Sequence, residues 1–163
     1  MVAMNERETT IRFFFYGTLM REECQHGLVA PWLVHAEPAR VWGRLFQLEA
    51  GYPALEVPEE SVLATGTEDA LLDVTTAQWR TTHPLRMRSG DWGWVHGEIA
   101  VLRDPTVCVP PLDEYEDVRS GEACLYQRVL IPAASERDTL PAWTYVRTTG
   151  EGGQRISSGV WTP

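Results

Sequence analysis

The chain has 163 residues, 44% of them hydrophobic and 23% charged, which suits one folded domain with a core of its own. Basic residues number 14 against 23 acidic ones, a net charge of −9. The arginines are scattered singly, without the basic stripe that holds a phosphate backbone, so nucleic acid is excluded as an expected partner.

The first ten residues, MVAMNERETT, are polar and lack the apolar centre of an export signal. No run approaches the ~18 apolar residues of a membrane span. A cytoplasmic protein without membrane partners is therefore expected, with residues 1–10 a flexible leader and 11–163 a single domain.

Ile11 to Tyr16 (IRFFFY) reads as a strand from its aromatic and β-branched content, and Gly17 breaks it. Met20 to about Val34 is expected to be helical, interrupted or ended by Pro31. Ala39 to Leu48 predicts a second strand, with Trp42, Phe46 and Leu48 on one face and Val41 and Leu45 on the other. Gly51-Tyr52-Pro53 is turn chemistry, followed by a short strand from Ala54 to Val57. Thr67 is placed as the cap of a helix running to about Arg80, with Leu71, Val74 and Gln78 sharing a face.

Trp94 to Leu102 predicts a further strand. Pro110 and Pro111 suit the first turn of a helix carrying LDEYEDV. Leu125 to Ile131 and Ala142 to Arg147 read as strands, and the glycines around 150–153 as the turn of a closing hairpin. Clustered strands without regular intervening helices argue for an α+β fold: a mixed, partly closed barrel of five to seven strands with two or three short flanking helices.

Most signatures of catalysis are missing. The histidines (His26, His35, His83 and His96) have no metal-ligand spacing, and no G-x-S-x-G elbow, Walker loop or dinucleotide fingerprint is present. The cysteines (Cys24, Cys108 and Cys124) lack any C-x-x-C spacing and read as reduced, mostly buried thiols.

Two features carry chemistry. In Phe15-Tyr16-Gly17-Thr18-Leu19, a strand ends in a glycine that lets backbone approach a ligand. Successive N–H groups at such a turn form a concave site for a carboxylate. The second feature is the acidic cluster Asp113, Glu114, Glu116 and Asp117. Glu116 falls four residues after Leu112, on one side of a helix, which places it at the edge of the core. Partial burial would raise its carboxyl from about 4.3 toward neutrality and suit it to base catalysis.

The motifs FFYGTL, VWGRLFQLEAGYPAL, VHGEIAVL, LDEYEDV, YQRVLI, AWTYV and SSGVW, in that order, closely resemble the γ-glutamylcyclotransferase-like family across most of residues 11–161. That family includes enzymes that degrade glutathione, cleave γ-glutamylamines or deprotect an aminoglycoside intermediate. The resemblance implies a mixed β-barrel with flanking helices and, without cofactor or metal, release of 5-oxoproline and an amine from a small γ-glutamyl substrate. It implies Glu116 as the single general acid/base. Tyr16, Gly17, Thr18 and Leu19 would hold the glutamyl group, with Tyr126 lining the site.

Asp117 stands where many members carry glycine. The segment 59–93, with Trp92 and Trp94, is longer than in compact relatives and is expected to form a lid or amine pocket, or to pack its tryptophans into the core. Glu98 is the runner-up acid. The alternatives are a non-catalytic small-carboxylate binder or interaction protein of the same fold, and an adaptor using its seven tryptophans. A monomer or homodimer is expected.

Overall fold

The computed structural model describes residues 9–17, 19–20, 26–49, 51–80, 90–116, 126–147 and 152–162. Strand β1 spans Thr10–Phe15, β2 Leu33–Gln47, β3 Pro53–Glu56 and β4 Ala64–Thr65. Helix α1 (Ala70–Trp79) precedes β5 (Gly93–Arg103), and α2 (Pro105–Tyr115) follows it. Strands β6 (Tyr126–Ala134), β7 (Thr139–Arg147) and β8 (Gln154–Arg155) complete the order.

The strands run β3-β2-β5-β1-β7-β6-β4, and an extra pairing between β2 and β6 joins Arg40 to Ala134. That bridge closes a five-strand barrel of β2, β5, β1, β7 and β6. Strands β1 and β7 run parallel at Phe13 and Trp143, whereas their other neighbours are antiparallel, so the barrel is mixed. The fold is α+β, as expected, with the barrel fully closed.

Alternation along the strands sends side chains to opposite faces. One buried cluster contains Phe14, Val41, Leu45, Val95, Ile99 and Ile131, all from strands, and fills the lumen. The other contains Phe13, Phe15, Leu102 and Trp143 together with Val74 of α1 and Leu112 of α2, so it lies between barrel and helices.

Several elements differ from the sequence expectation. In place of a helix from Met20 to Val34, the described part holds two 3₁₀ turns, His26–Leu28 and Ala30–Trp32, and β2 already begins at Leu33. Residues 21–25 lie outside the described residues. Pro31 sits in the first turn of the second 3₁₀ segment, where it lacks only an N–H that would have no partner.

Helix α2 starts at Pro105, so Pro110 and Pro111 stand inside it rather than in its first turn. They withdraw the donors due to the carbonyls of Thr106 and Val107, but those residues are exposed and water can serve them. Burial of Pro105, Cys108, Val109 and Leu112, spaced along one face, holds the helix together.

Asp69, not Thr67, caps α1, accepting from the Leu72 N–H at 3.1 Å. The buried face is Ala70, Asp73 and Val74, while Leu71 is exposed. An inward aspartate displaced the expected apolar stripe because a buried arginine waits for it.

Among the described residues β8 pairs with β2, at Phe46 with Arg155 and Gln47 with Gln154, and not with β7 in the expected closing hairpin. Gly152 and Gly153, just before β8, both take φ of 87°, a conformation that glycine adopts without strain.

Candidate active site

The end of β1 and the end of α2 meet over β3. A narrow cleft there, with about 30 Å³ of free volume, lies between Phe14, Phe15, Tyr16, Gly17 and Leu19 on one wall and Tyr115 and Glu116 on the other. Pro53 and Tyr145 also line it. The Gly17 turn is closed by a bond from the Met20 N–H to the Gly17 carbonyl at 3.1 Å. A Cβ at Gly17 would stand 2.5 Å from Pro53 Cγ, so only glycine lets this loop lie against β3. His26 Nδ1 lies 3.1 Å from the Leu19 carbonyl and ties the far side of the turn to the 3₁₀ segment.

Glu116 is the residue at which α2 ends, its N–H still bonded to the Leu112 carbonyl at 3.0 Å. It is partly buried, and burial first, then the nearby Asp113 carboxylate, pushes its carboxyl up to about 7. A carboxyl so placed exists in both protonation states near neutrality. The hydroxyls of Tyr16, Tyr126 and Tyr145 are all raised by burial, and the Glu116 charge raises each of them further. They remain protonated donors.

The residues singled out by sequence separate into two groups. Tyr16, Gly17, Leu19 and Glu116 share the cleft. Tyr126 stands behind its wall and donates to the carbonyl of Pro53, a cleft residue, at 2.9 Å. Thr18 and Asp117 lie outside the described residues.

Glu98 sits on β5 opposite Phe15 and Pro38 and does not itself line the cleft, although its partner Phe15 does. Trp92 and Trp94 each carry an arginine on one ring face, Arg44 and Arg40 respectively, both 4.0 Å from the ring centroid. Trp94 also meets Trp42 edge-on at 4.9 Å, so these rings pack within the protein. Residues 81–89 of the expected lid, including His83, lie outside the described residues.

Cys108 is buried, and burial pushes its thiol up to about 12, which keeps it inert. Cys24 and Cys124 lie outside the described residues. Among the described residues no cluster of three or more histidine, cysteine or acidic side chains forms a metal site, and no helix is long and apolar enough to cross a membrane.

Sequence reasoning gave no role to the polar group beneath the cleft. Arg128 donates through Nε to Asp113 Oδ1 at 2.9 Å and through Nη2 to Asp113 Oδ2 at 3.2 Å. Its Nη1 reaches Asp73 Oδ2 at 2.6 Å, and Nη2 also reaches the Thr67 carbonyl at 2.7 Å. The Tyr145 hydroxyl donates to Asp113 Oδ1 at 2.8 Å. A signal existed: Arg128 shares the strand face of Tyr126 and Leu130, and an arginine on an apolar face requires buried acceptors.

Among solved structures, YkqA from Bacillus subtilis superposes with a TM-score of 0.58 at 21% identity, covering 94% of this chain and 40% of that one. The chain thus spans well under half the length of the Bacillus protein. An AIG2-like protein from mouse gives a TM-score of 0.49 at 19% identity, with 88% and 81% of the two chains covered. No curated protein matches the chain. The sequence pattern of one family matches residues 13–78 and 66–163, and the chain belongs to that family, the gamma-glutamyl cyclotransferase, AIG2-like proteins.

Proposed function

We propose that the chain is a γ-glutamyl cyclotransferase in which Glu116 is the acid/base and the Tyr16–Leu19 loop holds the glutamyl head of a γ-glutamyl amide. The observation that carries this reading is the placement of one partly buried carboxyl, titrating at about 7, in the same cleft as the Gly17 turn.

The reaction needs no protein nucleophile. The substrate's α-amino group attacks its own γ-carbonyl, closing a five-membered ring. Binding must bring the two to about 3–3.5 Å, which converts chain flexibility into a high effective concentration. The Glu116 carboxylate first takes a proton from the α-ammonium. After attack it delivers that proton to the amide nitrogen, and the C–N bond breaks. The second proton on the ring nitrogen follows the same route, so the amine departs as an ammonium ion and Glu116 returns to its carboxylate. Backbone N–H groups of the loop would hold the α-carboxylate and the oxyanion. A carboxyl near 7 suits both halves of this shuttle better than one near 4.

The test is a panel of γ-glutamyl amides (dipeptides, glutathione, simple γ-glutamylamines and γ-glutamyl aminosugars) scored for released 5-oxoproline. Release from at least one, linear with enzyme, supports the reading. If none is turned over while 5-oxoproline itself binds, the chain is a carboxylate-binding relative and not an enzyme.

A further inference from the structure

Tyr145 lines the cleft and is hydrogen-bonded to one of its walls and to the helix that carries the other. Its main-chain carbonyl accepts from the Tyr16 hydroxyl at 2.6 Å, next to the Gly17 turn. Its own hydroxyl donates to Asp113 Oδ1 at 2.8 Å, on the last turn of α2, three residues before Glu116. The ring between them is 2% exposed and stacks on Phe13 at a centroid distance of 5.9 Å. One residue on β7 thus links Tyr16, through its main-chain carbonyl, to Asp113 near the end of α2, through its side chain.

The helix end needs such a tether. Glu116 is the residue that caps the C-terminus of α2, and residues 110 and 111 are prolines that leave two of the helix's own hydrogen bonds unmade. Asp113 is fixed from two directions, by the Arg128 fork from β6 and by the Tyr145 hydroxyl from β7. Arg128 is itself locked by Asp73 and Thr67 of the α1 region, so it holds Asp113 to the scaffold. Tyr145 relates α2 to the Gly17 turn by hydrogen bonds, beside the apolar packing of Leu19 in one cluster with Leu112 and Tyr115.

We propose that Tyr145 is a positioning residue for the cyclisation: through its hydroxyl bond to Asp113 and its carbonyl bond from Tyr16, it sets the Glu116 carboxyl at its working distance from the bound glutamyl head. The inference rests on the cyclotransferase reading for its kinetic consequence, and on geometry alone for its structural one.

Tyr145→Phe removes the hydroxyl but keeps the ring stack and the carbonyl that Tyr16 uses, so the glutamyl-binding wall is left intact. Misplacing a catalytic group by a fraction of an ångström to one ångström costs up to about 100-fold in rate. The variant should lose about 10- to 100-fold in kcat for 5-oxoproline release while KM stays within about twofold. p-Aminophenylalanine at position 145, which restores a donor at the ring's end, should recover most of the lost kcat. A purely structural role predicts a lower Tm with kcat per folded molecule unchanged, and that result overturns the proposal.

A second measurement does not depend on turnover. The Glu116 carboxyl, followed by ¹³C NMR in glutamate-labelled protein, should titrate near 7 in the parent and fall toward the ordinary carboxylate range in Tyr145→Phe as the side chain drifts into water. Among the described residues, Tyr16, Tyr126, Tyr145 and Asp113 are ionisable neighbours that share its field. An unmoved Glu116 titration overturns the positioning role. If the parent cyclises nothing but the titration moves, the cyclotransferase reading fails and the tether stands.

Discussion

The guanidinium of Arg128 meets the carboxylate of Asp73 at 2.6 Å with side chains only 2% and 1% exposed. Between them they join β6 to α1, and Asp73 also accepts from the Thr67 N–H at 3.0 Å and hydroxyl at 2.8 Å. Room for this comes from Gly66, where a Cβ would stand 2.6 Å from Arg128 Nη1. Removing Asp73 strips Arg128 Nη1 and both Thr67 donors of their acceptor, while Asp113 still pairs the guanidinium, so about 3 kcal/mol is expected, the low end of what breaking a buried pair costs. Asp73→Ala should therefore lower Tm by about 10 °C in a chain of this size, measured by thermal melting. A loss below about 1 kcal/mol would mean the pair behaves as a solvated surface contact.

Replacing the acid/base is the most direct chemical test. Glu116→Gln keeps the shape of the side chain and its place at the end of α2. It should bind 5-oxoproline like the parent and lose about 10²–10⁴-fold in kcat, the usual contribution of a general acid/base. Full turnover in this variant would remove Glu116 from the mechanism.

The raised carboxyl fixes the sign of two pH effects. Turnover starts with the carboxylate, so kcat/KM should rise with pH through about 7, where Glu116 of the free enzyme deprotonates. Asp113→Asn removes the second cause of that elevation and should move the midpoint to lower pH; a midpoint unchanged would assign the shift to burial alone. For stability the fold favours the protonated acid. Its contribution is complete below the unfolded value of 4.5 and is lost as pH climbs through about 7. Glu116→Gln should accordingly be more stable than the parent at about pH 8, by no more than about 3 kcal/mol, and equal to it at about pH 4.

What the sequence disclosed follows from where the decisive contacts lie. Strands β1 and β5 were legible because IRFFF and WVHGEIAVL are dense in aromatic and β-branched residues, a local signal. Strand β2 starts at Leu33 and not at Ala39 because its first residues, His35, Glu37 and Pro38 among them, are held by pairing to β5 and not by their own propensity. Barrel closure rests on the pairing of Arg40 with Ala134, which no local pattern announces. Pro110 and Pro111 pointed to a helix start because their cost is local, whereas the burial of Cys108, Val109 and Leu112 that outweighs it is tertiary. The cleft divides likewise. Glu116 and the Gly17 turn lie in short contiguous motifs, but the bonds of Arg128 and Tyr145 to Asp113 join segments 15 and 32 residues apart.

The Gly17 turn gives the last prediction, because its neighbour cannot retreat. Pro53 of β3 is paired with Gln47 of β2, and its carbonyl takes the Tyr126 hydroxyl at 2.9 Å, so the ring 2.5 Å from a Cβ at position 17 is fixed at both ends. In Gly17→Ala the loop must therefore move and β3 stays. Overpacking of this kind costs about 1–3 kcal/mol of stability. The displaced loop carries the backbone groups assigned to the substrate carboxylate, so KM should rise and 5-oxoproline affinity should fall together. The Glu116 titration should change little, since α2 is tethered separately. An alanine variant with parental KM and Tm would show that Pro53 yields, and the loop would then owe its position to something other than this contact.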